Sequence, residues 1–480
     1  MNNLKYLIIN KKDTILKALK FINKNTLGTC FVVDDKSILK GVLTDGDIRR
    51  ALLKKISLKT DVYKISNKKY KYLHENYSQT EQNKLLKKKT IKPRCIPIID
   101  KNKKVIDFIL STKKISLAKP NLRGNEVKYL NECINTGWIS STGKFVKEFE
   151  KKFSLYTKIK HCIAVSNGTT ALQLALHTLG INENNEVIVP NLTFASPVNA
   201  VIHSGAKPVF VDVKENTYCI DEDLIQKKIT KKTKAIIVVH LYGHPANISK
   251  IKKIANKNKI FLIEDCAEAL GSFYKNKHVG NFGDISTFSF FGNKMITTGE
   301  GGMVGFKSQK LKTKAEILRD HGMSKKIKYW HEDIGFNFRI TNIQSAIGCA
   351  QMERIHWFVK KKLNLVKLYN KKLSVFNFLK LPGEYGPVKN SYWLYTVRLN
   401  DQLTRYKNQI LKKLNVNGIE ARPIFFPMHT MKPYKKYISK GEIFPISNKL
   451  FKSSISLPSA HDVNTQDVTR IFNFLSRYKN

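Results

Sequence analysis

"CIAVSNGTTALQLALHTLG", residues 162–180, reads as a β-branched strand, a turn of small residues, and a helix whose apolar residues recur at helical spacing. That order places Gly168 and Thr169 at a helix N-terminus, where free backbone N–H groups and the helix dipole favour a phosphate. The Lys-Ser/Thr ending of a Walker loop is missing, which argues against an ATPase. Outward from this stretch, "HCIAV", "EVIVP", "KPVFVDV", "AIIVVHL", "IFLIED" and "ISTFSFF" follow as strand candidates separated by helical patterns and short loops. Strand and helix in alternation predict an α/β fold, a mainly parallel sheet wrapped by helices. A long helix is expected around 353–375, leading to a smaller α/β part at the C-terminus.

Two further stretches carry chemistry. "IFLIEDCAEALG" (260–271) ends a strand in Glu264 and Asp265, at the carboxyl edge where open α/β sheets bind ligands. "SFFGNKMITTGEGGMV" (289–304) sets Lys294 between an apolar strand and a glycine-rich turn that permits close backbone approach. A lysine amine whose charged form is disfavoured attacks aldehydes and forms a Schiff base. A phosphate turn, an acidic strand end and a strand-flanked lysine together point to pyridoxal 5′-phosphate. That cofactor needs a phosphate cradle, an anion at its ring nitrogen and a lysine for its aldehyde. No metal is expected.

From about residue 117 onward, "WISSTGKFVKEFE", "VSNGTTAL", "VHLYGHP", "IEDCAEALGS", "GDISTFSFFGNKMITTGEGGMV", "YWHEDIGFNFRITNIQSAIG" and "RPIFFPMHTM" occur in order. In these the chain resembles the DegT-type sugar-nucleotide aminotransferases of PLP fold type I. The resemblance implies a large cofactor-binding domain over 117–375 and a small one over 376–480. It implies Lys294 as the lysine that carries the cofactor and moves the proton, with Asp265 paired to the pyridinium nitrogen. Glu268 would lie near the cofactor's phenolic oxygen. Gly168, Thr169, Thr170 and Ser289 would hold the phosphate, and Phe194 would stack on the ring. Arg339 would reach the cofactor phosphate of a neighbouring subunit, which makes the site a shared one in a homodimer. Arg422 and His429 are candidates for substrate contacts or for structural roles. A related group of dehydratases has histidine in place of the lysine, so Lys294 favours an aminotransferase. The expected reaction takes the amino group of L-glutamate to C4 of a nucleotide-linked 4-keto-6-deoxy sugar. GDP-4-keto-6-deoxymannose is the preferred substrate and GDP-perosamine the product, for O-antigen or related surface polysaccharide; a UDP- or dTDP-linked sugar is the alternative.

Residues 1–115 hold a faint internal repeat: "TCFVVDDKSILKGVLTDGDIRRALL" (29–53) is echoed by "RCIPIIDKNKKVIDFILSTKK" (94–114). The pair resembles two CBS modules. In "GVLTDGDIRRAL", Thr44 and Asp47 flank a helix start, suited either to capping it or to hydrogen-bonding the ribose of an adenine nucleotide. Lys114 stands where the second copy would carry its acidic partner, so that copy is degenerate.

The 480 residues carry a formal charge of +48. Residues 1–119 hold 29 Lys and Arg against 10 Asp and Glu, leaving +29 for the remainder, so no segment owns the charge. Runs such as Lys87–Lys89 and Lys360–Lys362 read as solvated helix faces, and a lysine-rich bias is preferred to a specific nucleic-acid partner. Seven widely spaced cysteines without a CxxC, no signal-like start and no long apolar run suit a reducing cytoplasm and no membrane. The rival from another class is a non-catalytic regulator in which a CBS sensor is fused to a dead aminotransferase fold.

Overall fold

The computed structural model describes residues 3–25, 27–78, 80–82, 85, 95–110 and 114–478. They form two compact units, one of residues 1–115 with 409–420 and one of 116–408 with 421–480.

In the first unit, β1 (Ile8–Asn10) runs parallel to β2 (Thr29–Val33), which pairs antiparallel with β3 (Leu39–Thr44). The repeat returns the same arrangement: β4 (Leu73–His74) is parallel to β5 (Cys95–Ile99), and β5 is antiparallel to β6 (Val105–Leu110). Both hairpins carry a register shift at the same place, between Val32 and Val33 and between Ile98 and Ile99. A shared bulge at the equivalent position is stronger evidence of duplication than shared composition. The helix Ile15–Asn25 buries Ile15, Ala18 and Ile22, one face at helical spacing, against β2 and β3. Arg94 and residues 111–113 of the second copy, and Lys87–Lys89, lie outside the described residues.

The segment 409–420, which the sequence places in the C-terminal part, groups with this first unit. Ile115 N–H donates to Gly418 O at 2.8 Å, Glu420 N–H to Ile115 O at 2.9 Å, and Val416 packs on the core that contains Leu7, Leu27 and Phe31.

The second unit is built on a seven-stranded sheet. Its strands are β7 (His161–Val165), β8 (Glu186–Pro190), β9 (Lys207–Val211), β10 (Thr233–Val239) and β11 (Phe261–Asp265), with β14 (Ile285–Ser289) and β15 (Gly302–Phe306). Two short strands intervene in the chain, β12 (Phe273–Tyr274) and β13 (Lys277–His278). The order is β7-β15-β14-β11-β10-β8-β9, and only β15 opposes its neighbours. Near-continuous apolar runs suit strands covered on both faces, and β8 is buried along its whole length. No strand candidate covers β15, because glycine at 302 and 305 dilutes its strand propensity. At Gly302 the reason is close approach: a Cβ there would lie 2.5 Å from Asn167 O.

The expected long helix spans Ile355–Leu373 and follows the helix Asn342–Glu353. Lys362 corrects the solvated-face reading of its run: it is 3% exposed, and its Nζ donates to Trp393 O at 2.8 Å and to Ser459 O. A second sheet orders β16 (Leu379–Lys380), β18 (Tyr395–Leu399), β20 (Ser454–Leu457) and β19 (Arg422–Pro423) as β16-β18-β20-β19, while β17 (Val388–Lys389) pairs with β12. All seven cysteines are buried and free. Among the described residues no helix is long and apolar enough to cross a membrane.

Candidate active site

A cavity of about 660 Å³ opens where β7, β8, β10, β11 and β14 end, and its wall includes Gly168, Thr169, Phe194, Asp265, Glu268, Ser289 and Lys294. Parallel strands bring these residues together because each strand delivers its C-terminal loop to the same edge.

β7 runs directly into the helix Gly168–Thr178. Asn167 caps it: Thr170 N–H donates to Asn167 Oδ1 at 2.9 Å, and Asn167 N–H donates to Thr170 Oγ1 at 3.2 Å. Thr170 therefore spends both its amide and its hydroxyl on the cap, although it lines the cavity. The first-turn amides of Gly168 and Thr169 have no acceptor within the helix. Gly168 is needed because a Cβ there would come within 2.8 Å of Ser289 Cβ. Helix N-terminus and Ser289 hydroxyl thus form one concave polar corner.

Asp265 ends β11 with its Oδ1 accepting Ala267 N–H at 3.0 Å. Burial raises its carboxyl above the usual range, opposed by that bond and by the charge of Lys294. Its neighbour Glu264 plays a different part. Glu264 accepts N–H bonds from Gly280, Phe282 and Gly283 and faces His240 Nε2 at 3.1 Å, so it fixes the loop behind the sheet. His240, Glu264 and Cys266 lie close enough to suggest a metal cluster. His240 Nδ1 already accepts Ala246 N–H and the Glu264 oxygens are filled, which explains the cluster without an ion.

Lys294 Nζ lies 3.4 Å from Glu268 Oε1 and 3.9 Å from the centroid of the Trp393 ring. Glu268 Oε2 accepts Tyr242 N–H at 2.9 Å. Burial pushes Glu268 up to about 6, against the opposing charge of Lys294. Tyr242 adopts φ 54°, a left-handed conformation rare for a bulky residue, and its hydroxyl accepts Phe425 N–H at 3.2 Å. Tyr242, Trp393 and Phe425 stack within 21° of one another and make an aromatic wall. Phe194 lies in tilted ring contact with Phe425, centroids 5.6 Å apart, and is 56% exposed.

Arg422 reaches the cavity. His429 is not in its wall; its ring is held by Asn191 at 2.9 Å and packs on Phe444, a structural arrangement. Arg339 also lies off the cavity, with Nη1 on Asp320 at 2.8 Å and Nη2 3.3 Å from His321. Sequence reasoning did not pick out Tyr242, Trp393 or Phe425. The signal available for Tyr242 was the Tyr-Gly pair of "HLYGHP", a turn that adopts positive φ at both residues.

The polar corner, a carboxylate that among the described residues has one oxygen hydrogen-bonded to the protein, and a lysine in an aromatic-walled cavity fit pyridoxal 5′-phosphate in its phosphate, ring nitrogen and aldehyde. Glycine at 168 lets the helix N-terminus and the Ser289 hydroxyl lie against each other, since a Cβ there would fall 2.8 Å from Ser289 Cβ.

In the first unit, Thr44 caps the helix Asp45–Leu53 reciprocally with Asp47: Asp47 N–H donates to Thr44 Oγ1 at 3.2 Å and Thr44 N–H to Asp47 Oδ2 at 2.9 Å. Arg50 pairs with the remaining Asp47 oxygen.

Comparison with known proteins gives two family matches: the DegT/DnrJ/EryC1/StrS aminotransferase family over residues 120–476 and the CBS domain over residues 2–54. GDP-perosamine synthase of Vibrio cholerae is 40% identical over 366 residues, which cover 76% of this chain and 99% of that protein. GDP-perosamine synthase of Caulobacter vibrioides is 43% identical, covering 75% and 96%. Among solved structures, Helicobacter pylori PseC, an aminotransferase involved in the biosynthesis of pseudoaminic acid, superposes with a TM-score of 0.73 at 28% identity, over 76% of this chain and 99% of that one.

Proposed function

The chain belongs to the DegT/DnrJ/EryC1/StrS aminotransferase family and uses pyridoxal 5′-phosphate, and on that premise we propose that it converts GDP-4-keto-6-deoxymannose and L-glutamate into GDP-perosamine and 2-oxoglutarate. The observation that carries the chemistry is the amine of Lys294 inside a cavity that also holds Asp265 and the helix N-terminus at Gly168. The relatives named GDP-perosamine synthase support this choice of sugar.

When bound, the cofactor supplies an aldehyde that exchanges amino groups and a ring that takes up electrons. Gly168, Thr169 and Ser289 would hold its phosphate, with Thr170 acting through the cap of the same helix. Asp265 would hold a proton on the ring nitrogen, an opposite-charge contact that keeps the carboxylate ionised. Phe194 would cover one ring face. Lys294 Nζ takes the α-proton of glutamate in the first half-reaction and returns a proton to C4 of the sugar in the second. Glu268, 3.4 Å from that nitrogen, steadies the ammonium while it carries the proton. Tyr242, Trp393 and Phe425 exclude water from this side, and Arg422 is suited to the anionic substrate.

Arg339 would serve the site of a second copy, and the exposed Trp138, Tyr329, Trp330 and Ile334 supply an apolar surface for such a homodimer. An adenine nucleotide at Thr44–Asp47 is the proposed ligand of the first unit; AMP or ATP titrated into the full chain in a calorimeter tests it.

The main reading is tested by the absorbance spectrum of the protein with pyridoxal 5′-phosphate. L-Glutamate should remove the band of the lysine-linked cofactor and GDP-4-keto-6-deoxymannose should restore it. Restoration by a UDP- or dTDP-linked keto sugar instead would reassign the substrate, and no response to glutamate would overturn the reaction.

A further inference from the structure

Lys294 is a flexible side chain that must leave and regain the same position in every cycle, and the carboxylate of Glu268 restrains it from one side only. On the other side its Nζ sits 3.9 Å from the centroid of the Trp393 ring. An ammonium is attracted to the negative face of an indole, most strongly where water is excluded. Trp393 is 5% exposed.

The indole is itself fixed by two contacts, and its backbone by a third. Its Nε1–H donates to the carbonyl of Asn293, the residue before the lysine, at 2.7 Å. The main-chain carbonyl of Trp393, which anchors the backbone that carries the ring, accepts the buried Nζ–H of Lys362 at 2.8 Å. Its ring stacks on Tyr242 at 6.2 Å with 9° between the planes. One residue thus grips the backbone beside Lys294 through its N–H and faces the lysine's amine with its ring.

Resting on the aminotransferase reading above, we propose that Trp393 is the cradle of the released Lys294 amine, holding it against the ring between the two proton transfers so that it stays within reach of the reacting carbon. Tyr242 and Lys362 act through Trp393 and are positioning residues. The ring acts on the charged amine alone, so its effect falls on the steps in which Lys294 is free.

Two measurements test this, the first without cofactor. In the full chain prepared free of pyridoxal 5′-phosphate, Lys294→Met should shift the tryptophan emission, and the same substitution in a Trp393→Phe background should leave it unchanged. An equal shift in both backgrounds would refute the contact. In the loaded enzyme, the glutamate half-reaction followed by stopped flow should be slowed about tenfold or more by Trp393→Leu, and about threefold by Trp393→Phe, with the KM for glutamate little changed in either. Both variants lose the N–H bond to Asn293, and only phenylalanine keeps a ring face, so equal rates for the two would overturn the proposal and leave a packing role. Thermal melts identify a leucine variant that fails to fold, in which case the emission experiment decides. If the wild type shows no response to glutamate, the aminotransferase reading fails while the emission experiment still decides the contact.

Discussion

Asp265 and Glu268 stand three residues apart, both buried, and divide their work by what lies opposite each. Desolvation raises both carboxyls. A pyridinium nitrogen opposite Asp265 would reverse that effect, whereas Glu268 faces the lysine amine and the Tyr242 N–H, and burial holds it up at about 6. As pH falls through 6, Glu268 takes up a proton and no longer attracts the Lys294 ammonium. The glutamate half-reaction of the wild type should therefore decline below about pH 6. Glu268→Gln should be slower at pH 7 by roughly tenfold and lose that decline; a decline of the same shape in both proteins would assign it to another group. Asp265 is legible in the sequence because it ends the apolar run "IFLIED", and Lys294 because it stands between the run "ISTFSFF" and a glycine-rich turn. Glu268 comes from the family resemblance. Tyr242, Trp393 and Phe425 were not legible, since they are far apart in the chain and meet only when β10 and β18 deliver their ends to one wall.

At the scale of elements, the helix Gly168–Thr178 depends on the absence of a side chain at its first position. Gly168→Ala would set a Cβ 2.8 Å from that of Ser289 and force the helix end away from β14. Weakened retention of pyridoxal 5′-phosphate is expected, by roughly tenfold in dialysis, with a loss of about 1–3 kcal/mol in stability; unchanged retention would mean that the corner does not hold the phosphate. The helix Ile355–Leu373 shows where composition misleads. Its lysine run has a solvated appearance, yet burial lowers Lys362 from 10.5 to about 7, and a neutral amine still has two N–H groups for its two carbonyl partners. Between pH 7 and 10.5 the folded chain binds fewer protons here than the unfolded one, so this group's contribution to stability rises with pH across that window. The difference in melting temperature between wild type and Lys362→Met should shift in favour of the wild type from pH 7 to pH 9. A constant difference would mean that Lys362 stays charged. The sheet itself was largely foreseen from its apolar runs; β15 was not, because glycine serves close approach there rather than strand propensity.

For the whole molecule, the issue is whether one chain suffices. Arg339 is tied to Asp320 and His321 outside its own cavity, beside exposed Tyr329, Trp330 and Ile334. If it serves a second copy, Arg339→Ala should lose cofactor retention about tenfold or more. Co-expression of Arg339→Ala with Lys294→Ala should then restore turnover that neither variant has, because one of the two mixed sites is intact. No recovery would confine Arg339 to its own protomer. The repeat ends at residue 114, and the first compact unit takes in residues 1–115. Assignment of 409–420 to the first unit was not legible in the sequence, since it depends on a backbone pairing between Ile115 and Ile419.

The seven cysteines add a practical dimension. Every thiol is enclosed, and burial pushes those of Cys30, Cys162, Cys219 and Cys349 up to about 12, far from the thiolate that reagents attack. The protein comes ready for site-directed labelling: a cysteine introduced on each unit would be its only fast-reacting handles. A donor and an acceptor dye placed there would report whether added AMP or ATP changes the distance between the two labels, in the native background and during turnover.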